Sequence, residues 1–176
     1  LTVDVGSLYR AKEAGVLQSV NTQLLDAEVP TAYRDSEGYW YALSLRSRVI
    51  VYDKERVNPA ELSTYADLAD PKWKGKICVR SSSNIYNQSM VASMVSRNGV
   101  AQTEEWAEGL VANFARSPQG GDREQISAIA AGQCQVALVN TYYLAGLLNS
   151  SNPADRANGE AVAVFWPDQN SNGAHI

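Results

Sequence analysis

Val136-Ala137-Leu138-Val139-Asn140-Thr141-Tyr142-Tyr143-Leu144-Ala145-Gly146-Leu147-Leu148 joins a short apolar run to a helix-forming segment, with two adjacent phenols at the join. The run reads as a buried strand, and Thr141 onward as a helix. In open α/β sheets, strand ends and helix starts face a common crevice where ligands bind. A second join reads the same way: Lys76-Ile77-Cys78-Val79-Arg80 as a strand, Ser81-Ser82-Ser83-Asn84 as a polar loop, and Ile85 onward as a helix with Tyr86 in its first turn. Tyr86, Tyr142 and Tyr143 therefore stand at two helix starts.

A phenol gives up its proton only near pH ~10, but the positive end of a helix dipole and a bound cation both favour the phenolate. Phenolate is a hard, anionic oxygen donor that suits hard, highly charged cations, and tyrosinate ligates iron in the haem site of catalase. The same residues also read as amphipathic side chains at a domain surface. From the dipeptide alone both readings stand.

The chain has 176 residues, enough for one domain or a little more with a sizeable core. Its 45% apolar and 19% charged residues fit an ordinary globular protein, and a net charge of -4 gives no electrostatic case for nucleic acid. No apolar run approaches the ~20 residues that span a bilayer, and the first residues lack the pattern of a signal peptide. A soluble chain is expected, with any signal already removed. Leu1-Thr2-Val3-Asp4-Val5 reads as a strand in progress, and Gly173-Ala174-His175-Ile176 as the start of another apolar run, a pattern that fits either a fragment or short ordered termini.

Ser7 is predicted to cap a helix ending at Gly15. Tyr39-Trp40-Tyr41-Ala42-Leu43 and Val49-Ile50-Val51-Tyr52 read as strands of a crossing region, and Asn58 to Leu68 as a short helix. Helices are predicted over 85–97, from a cap at Thr103, and from a cap at Asp122 to Gly132. Residues 149–159 read as a loop and Ala161 to Trp166 as a last strand. Strands alternating with helices predict an α/β architecture.

Three linked stretches carry a family resemblance. Asp67-Leu68-Ala69-Asp70-Pro71-Lys72-Trp73-Lys74-Gly75-Lys76 resembles a turn of many periplasmic substrate-binding proteins of ABC transporters. Ser81-Ser82-Ser83-Asn84-Ile85-Tyr86-Asn87-Gln88-Ser89 followed by Asn140-Thr141-Tyr142-Tyr143 is similar to the ferric-iron-binding members, especially the cyanobacterial and marine bacterial type. Residues 2–11 and 43–52 resemble that family too, so the likeness covers essentially the whole chain. It implies a type II periplasmic-binding-protein (Venus-flytrap) fold, two α/β lobes joined by crossing strands, with the first lobe incomplete. Residues 1–48 would belong to lobe 1, with a hinge crossing near 30–34. Residues 49–172 would form lobe 2, and 173–176 would start the return to lobe 1.

The resemblance further implies that Tyr86, Tyr142 and Tyr143 donate phenolate oxygens to Fe(3+), with an accessory anion such as carbonate, citrate or phosphate. It implies delivery to an inner-membrane ABC transporter permease by a monomeric, periplasmic protein. Relatives add a His-Tyr or similar pair near the mature amino terminus, which this chain lacks; with the abrupt ends, the resemblance therefore implies further residues before Leu1 and after Ile176. Many carry a basic residue three positions after the second tyrosine, where this chain has Gly146.

Ser81, Ser82, Ser83 and Asn84 could hold an anion or simply cap the helix. Asn140 could bond the same anion or fix the turn. Asp4 and Arg46 could orient a tyrosine or form surface ion pairs. Tyr9 reads as packing, and His175, the one histidine, as solvated. Cys78 and Cys134 each precede a candidate tyrosine by eight residues on strands read as neighbours, so a disulfide competes with two buried thiols. Two other functions remain open: a lobe pair for another small solute such as a carboxylate, polyamine or thiamine, and an enzyme using a tyrosine as general acid or base. The enzyme reading lacks a histidine near the tyrosines and any nucleophile-elbow motif.

Overall fold

The computed structural model describes residues 3–176. The chain divides into two compact units, Leu1–Leu45 and Arg46–Ile176.

In the first unit, α1 (Val5–Glu13) begins where the Asp4 carboxylate accepts a hydrogen bond from the Gly6 backbone N–H at 3.1 Å. Asp4 is thus the cap in place of Ser7, and Val5 is helical. Of the strand expected at residues 1–5, positions 1 and 2 lie outside the described residues. Gly15 leaves the helix at φ +67°, a backbone conformation only glycine adopts without strain. α2 (Gln23–Glu28) follows, with Thr22 as its cap. The strand expected at 39–43 is reduced to a single bridge between Arg34 and Tyr41. A β-rich run needs a partner strand to become a ladder, and none is present among the described residues of this unit.

The second unit is built on a four-stranded sheet of β1 (Arg48–Asp53), β2 (Ile77–Cys78), β3 (Val136–Asn140) and β4 (Val162–Phe165), in the order β2-β3-β1-β4. β2 and β3 are parallel, while β1 runs antiparallel to both β3 and β4. The 49–52 run, read as a crossing strand, is therefore central to the sheet. Successive side chains alternate between faces. Ile50, Ile77, Val136 and Leu138 enter one core with Met90 and Met94 of α3 (Ile85–Asn98) and Trp106 and Leu110 of α4 (Val100–Ala112). Val49, Val51, Ala137 and Val139 enter the other with Ile126 and Ile129 of α5 (Asp122–Ala130) and Leu144 and Leu147 of α6 (Thr141–Leu148). Both faces are covered, which is why β3 reads as an unbroken apolar run.

Several boundaries differ from expectation for local reasons. Residues 58–68 form two 3-10 turns, Pro59–Glu61 and Ala66–Ala69, separated where Thr64 and Asp67 bond each other's backbone N–H groups. α4 starts at Val100 after Gly99 (φ +83°), so Thr103 is inside the helix, its hydroxyl donating back to the Gly99 carbonyl at 2.8 Å. Residues 149–159 contain α7 (Pro153–Glu160), announced by Asn152 as cap and proline at the first helical position. Cys78 and Cys134, both buried, are joined as a disulfide with Cα atoms 5.9 Å apart.

Residues 173–176 lie in the second unit, where the His175 carbonyl accepts from Arg48 N at 2.8 Å. The ring of His175 is half-buried and its Nε2 is 3.0 Å from Ser89 Oγ, so the histidine is not solvated as its position suggested. Beside it Tyr65, 2% exposed, donates its hydroxyl to the Arg48 carbonyl and accepts from His175 N. Burial pushes this phenol up to about 12. Below pH ~10 the folded and unfolded chains both hold its proton. Between there and the folded value only the unfolded chain loses it, so stability falls as pH rises, by about 2–3 kcal/mol. Urea unfolding of the chain should show this alkaline loss between pH 10 and 12, and Tyr65→Phe, though less stable at neutral pH, should have a shallower slope. An identical slope in the variant would assign the loss elsewhere.

Candidate functional site

The two helix starts identified from the sequence converge. α3 begins after Asn84, whose side chain accepts from Tyr86 N at 2.9 Å, so Tyr86 emerges in the first turn. α6 begins directly after β3, so Tyr142 and Tyr143 emerge together, their rings 4.3 Å apart. The Tyr142 hydroxyl donates to the Tyr86 hydroxyl at 3.1 Å, across a sequence separation of 56. Three phenols thus form one cluster, with Tyr142 44% exposed at its open side.

Cations flank the cluster. The guanidinium carbons of Arg46 and Arg80 lie 5.0 and 5.3 Å from the centre of the Tyr86 ring. Partial burial works against the charge of Arg80, but the Asp122 carboxylate and then Tyr143 outweigh it and hold the guanidinium above its ordinary pKa. Tyr142 is pushed above the usual phenol range, first by burial and then by its bonds with Tyr143 and Tyr86, while the Asn140 side chain acts in the opposite sense. Without a cation the cluster is therefore neutral at this phenol near pH 7. A trivalent ion placed among the hydroxyls would displace protons to gain anionic ligands.

Beneath the tyrosines lies a buried polar network. Arg48 donates to Asp122 Oδ2 at 2.7 Å, to Asn140 Oδ1 at 3.2 Å, to Asn87 Oδ1 at 2.7 Å and to the Leu138 carbonyl at 3.0 Å. Asn87, adjacent to Tyr86, donates to the carbonyls of Arg80 and Ser81 at 2.9 and 3.2 Å. This ties the loop before α3 to β1 and β3.

The remaining sequence candidates divide. Ser81 and Ser83 bond each other (Oγ to Oγ 2.8 Å) and shape the turn before the Asn84 cap, with Ser82 exposed. Asn140 spends its carbonyl oxygen on Arg48 and its backbone N–H on Asp122, while its buried Nδ2 has no partner. Arg46 joins the cluster through Tyr86, whereas Asp4 belongs to the first unit and caps α1. At Gly146, an added Cβ would meet a guanidinium nitrogen of Arg123 at 3.2 Å, so a cation from α5 occupies the space beside that position.

Arg48, Arg80, Asn87 and Asp122 escaped the sequence reading. The sequence presents Asp122 as a helix cap, yet in the structure the Glu124 carboxylate accepts from Gly121 N at 2.8 Å and caps the helix start instead. A glutamate three residues after the residue preceding Asp122 was the available sign that the aspartate is free to turn inward.

The mixed sheet is thus covered on both faces, and the helix starts at one end of its strands converge on a polar cluster. Residues 1–173 match the bacterial extracellular solute-binding protein family, and the chain belongs to it. Iron uptake protein A1 of Synechocystis is 50% identical over 176 residues, all of this chain and 49% of that protein. The Trichodesmium IdiA (FutA) structure in complex with iron and citrate superposes with a TM-score of 0.96 at 52% identity, over 99% of this chain and 55% of that one. A ferric binding protein from Campylobacter jejuni superposes at 0.94 with 35% identity, over 98% and 55%. The chain spans about half the length of the curated relatives it matches.

Proposed function

We propose that this chain contributes to the capture of ferric iron in the periplasm, holding the ion through phenolate oxygens of Tyr86, Tyr142 and Tyr143 for delivery to an ABC-type membrane importer. The observation that carries this reading is the hydroxyl-to-hydroxyl contact of Tyr142 with Tyr86, which brings phenols from two distant helix starts to one point. Three phenolates neutralise a trivalent ion. An octahedral ion has further positions, which water or a small anion such as carbonate, citrate or phosphate would fill; the Ser81–Asn84 turn and Arg46 stand on the tyrosine side for such an anion. No reaction is catalysed. Protonation of the phenolates, or reduction to the softer ferrous ion, would release the cargo.

Titration of the 176-residue chain with ferric citrate should produce a visible tyrosinate-to-iron charge-transfer band, accompanied by proton release in weakly buffered solution. A colourless protein at saturating iron would reject phenolate ligation and favour a small organic solute.

A further inference from the structure

The Asp122 carboxylate is fully buried and accepts from three donors: Arg48 Nη1 and Asn140 N at 2.7 Å on one oxygen, and Arg80 Nη1 at 3.1 Å on the other. These donors come from the start of β1, the end of β3 and the loop after β2. Two guanidinium groups and an amide N–H at a strand-to-helix join make a receptor shaped for a carboxylate-sized oxyanion. Two cations face one anion, and the Nε atoms of both arginines, buried, have no partner. Each donor also leads to a tyrosine. Arg80 lies against the Tyr86 ring, Arg48 bonds Asn87 beside Tyr86, and Asn140 opens the segment carrying Tyr142 and Tyr143.

We propose that Asp122 is a built-in anion occupying an oxyanion receptor made by Arg48, Arg80 and the Asn140 N–H, and that through it Asp122 is a positioning residue setting the spacing of Tyr86 from Tyr142 and Tyr143. Any accessory anion is thereby excluded from this receptor and confined to the open side of the phenols. The receptor stands on its own geometry, and only its consequence for iron rests on the ferric-tyrosinate reading.

Removing the carboxylate while leaving the buried Arg48 and the partly buried Arg80 guanidinium groups in place creates an empty receptor, so a small carboxylate from solution should refill it. The experiment compares the metal-free 176-residue chain with Asp122→Ala, in formate and in chloride at equal ionic strength. Asp122→Ala should melt about 10 °C lower in chloride, as expected for an uncompensated buried charge, and formate should recover more than half of that loss while leaving the parent chain unmoved. Equal melting in the two salts, or an equal formate effect on the parent, overturns the proposal. If Asp122→Ala does not fold in chloride, recovery of folded protein on dilution from urea into each salt replaces the melt, and equal recovery overturns it. Asp122→Asn, which keeps the shape but not the charge, should bind ferric iron about 10- to 100-fold more weakly, the usual range for an outer partner of a metal ligand. An unchanged affinity overturns the positioning role. Absence of a charge-transfer band in the parent chain would sink the iron reading without touching the formate result.

Discussion

Tyr142→Phe lowers the ferric-iron affinity of the 176-residue chain by at least about a hundredfold, and Tyr86→Phe does the same, because losing a direct ligand costs no less than losing an outer partner. The substitution removes one oxygen and little else. The ring of Tyr142 keeps its 4.3 Å packing on Tyr143, and the hydroxyl that is lost bonds the Tyr86 hydroxyl within the cluster. Thermal stability should consequently stay near that of the parent chain, and competition with citrate followed through the charge-transfer band measures the affinity. The double variant should lose less than the sum of the two, since both oxygens serve one ion. Affinity should also climb with pH. Tyr142 sits above the ordinary phenol range, so at neutral pH binding must expel its proton, and each proton expelled strengthens binding about tenfold per pH unit. Variants that bind iron as tightly as the parent, or a binding curve indifferent to pH, would remove the phenols from the ligand set.

Replacing both cysteines by alanine destabilises the chain by roughly 4 kcal/mol, the loop-closure value for a link of this span, with a fall in melting temperature of about 8–16 °C. The bond joins residues 56 apart, from the end of β2 to the residues leading into β3, and both sulfurs are buried. Its loss frees the end of β2, from which the chain carries Arg80 towards the tyrosines. Iron affinity should therefore fall with stability, and urea unfolding with and without reductant measures the first effect. A double variant as stable as the oxidised chain would show that packing of Cys78 and Cys134 as small apolar groups suffices.

The tyrosines were legible in the sequence because helix starts are written locally. Asn84 before Ile85-Tyr86, and an apolar strand before Thr141-Tyr142-Tyr143, place phenols in first turns whatever the rest of the chain does. The two covered faces of the sheet were likewise legible in the unbroken apolar run of β3. Signals that compete at short range misled: Gly99 overrode Thr103 as a helix start, and Asn152-Pro153 began a helix inside a stretch rich in loop residues.

By itself the sequence determined which segments become strands and helices around the tyrosines, and that these phenols stand at helix starts, because hydrogen bonding and side-chain sterics within a few residues decide both. Only the tertiary structure decided that β1 runs antiparallel between β3 and β4, that Tyr86 meets Tyr142, and that Asp122 gathers Arg48, Arg80 and Asn140. Those partners lie 18 to 74 residues from Asp122. Contacts at such separations are selected by burial and charge compensation in the folded core, where an unpaired buried charge is too costly to tolerate, and nothing in the neighbouring residues of any one partner specifies the others.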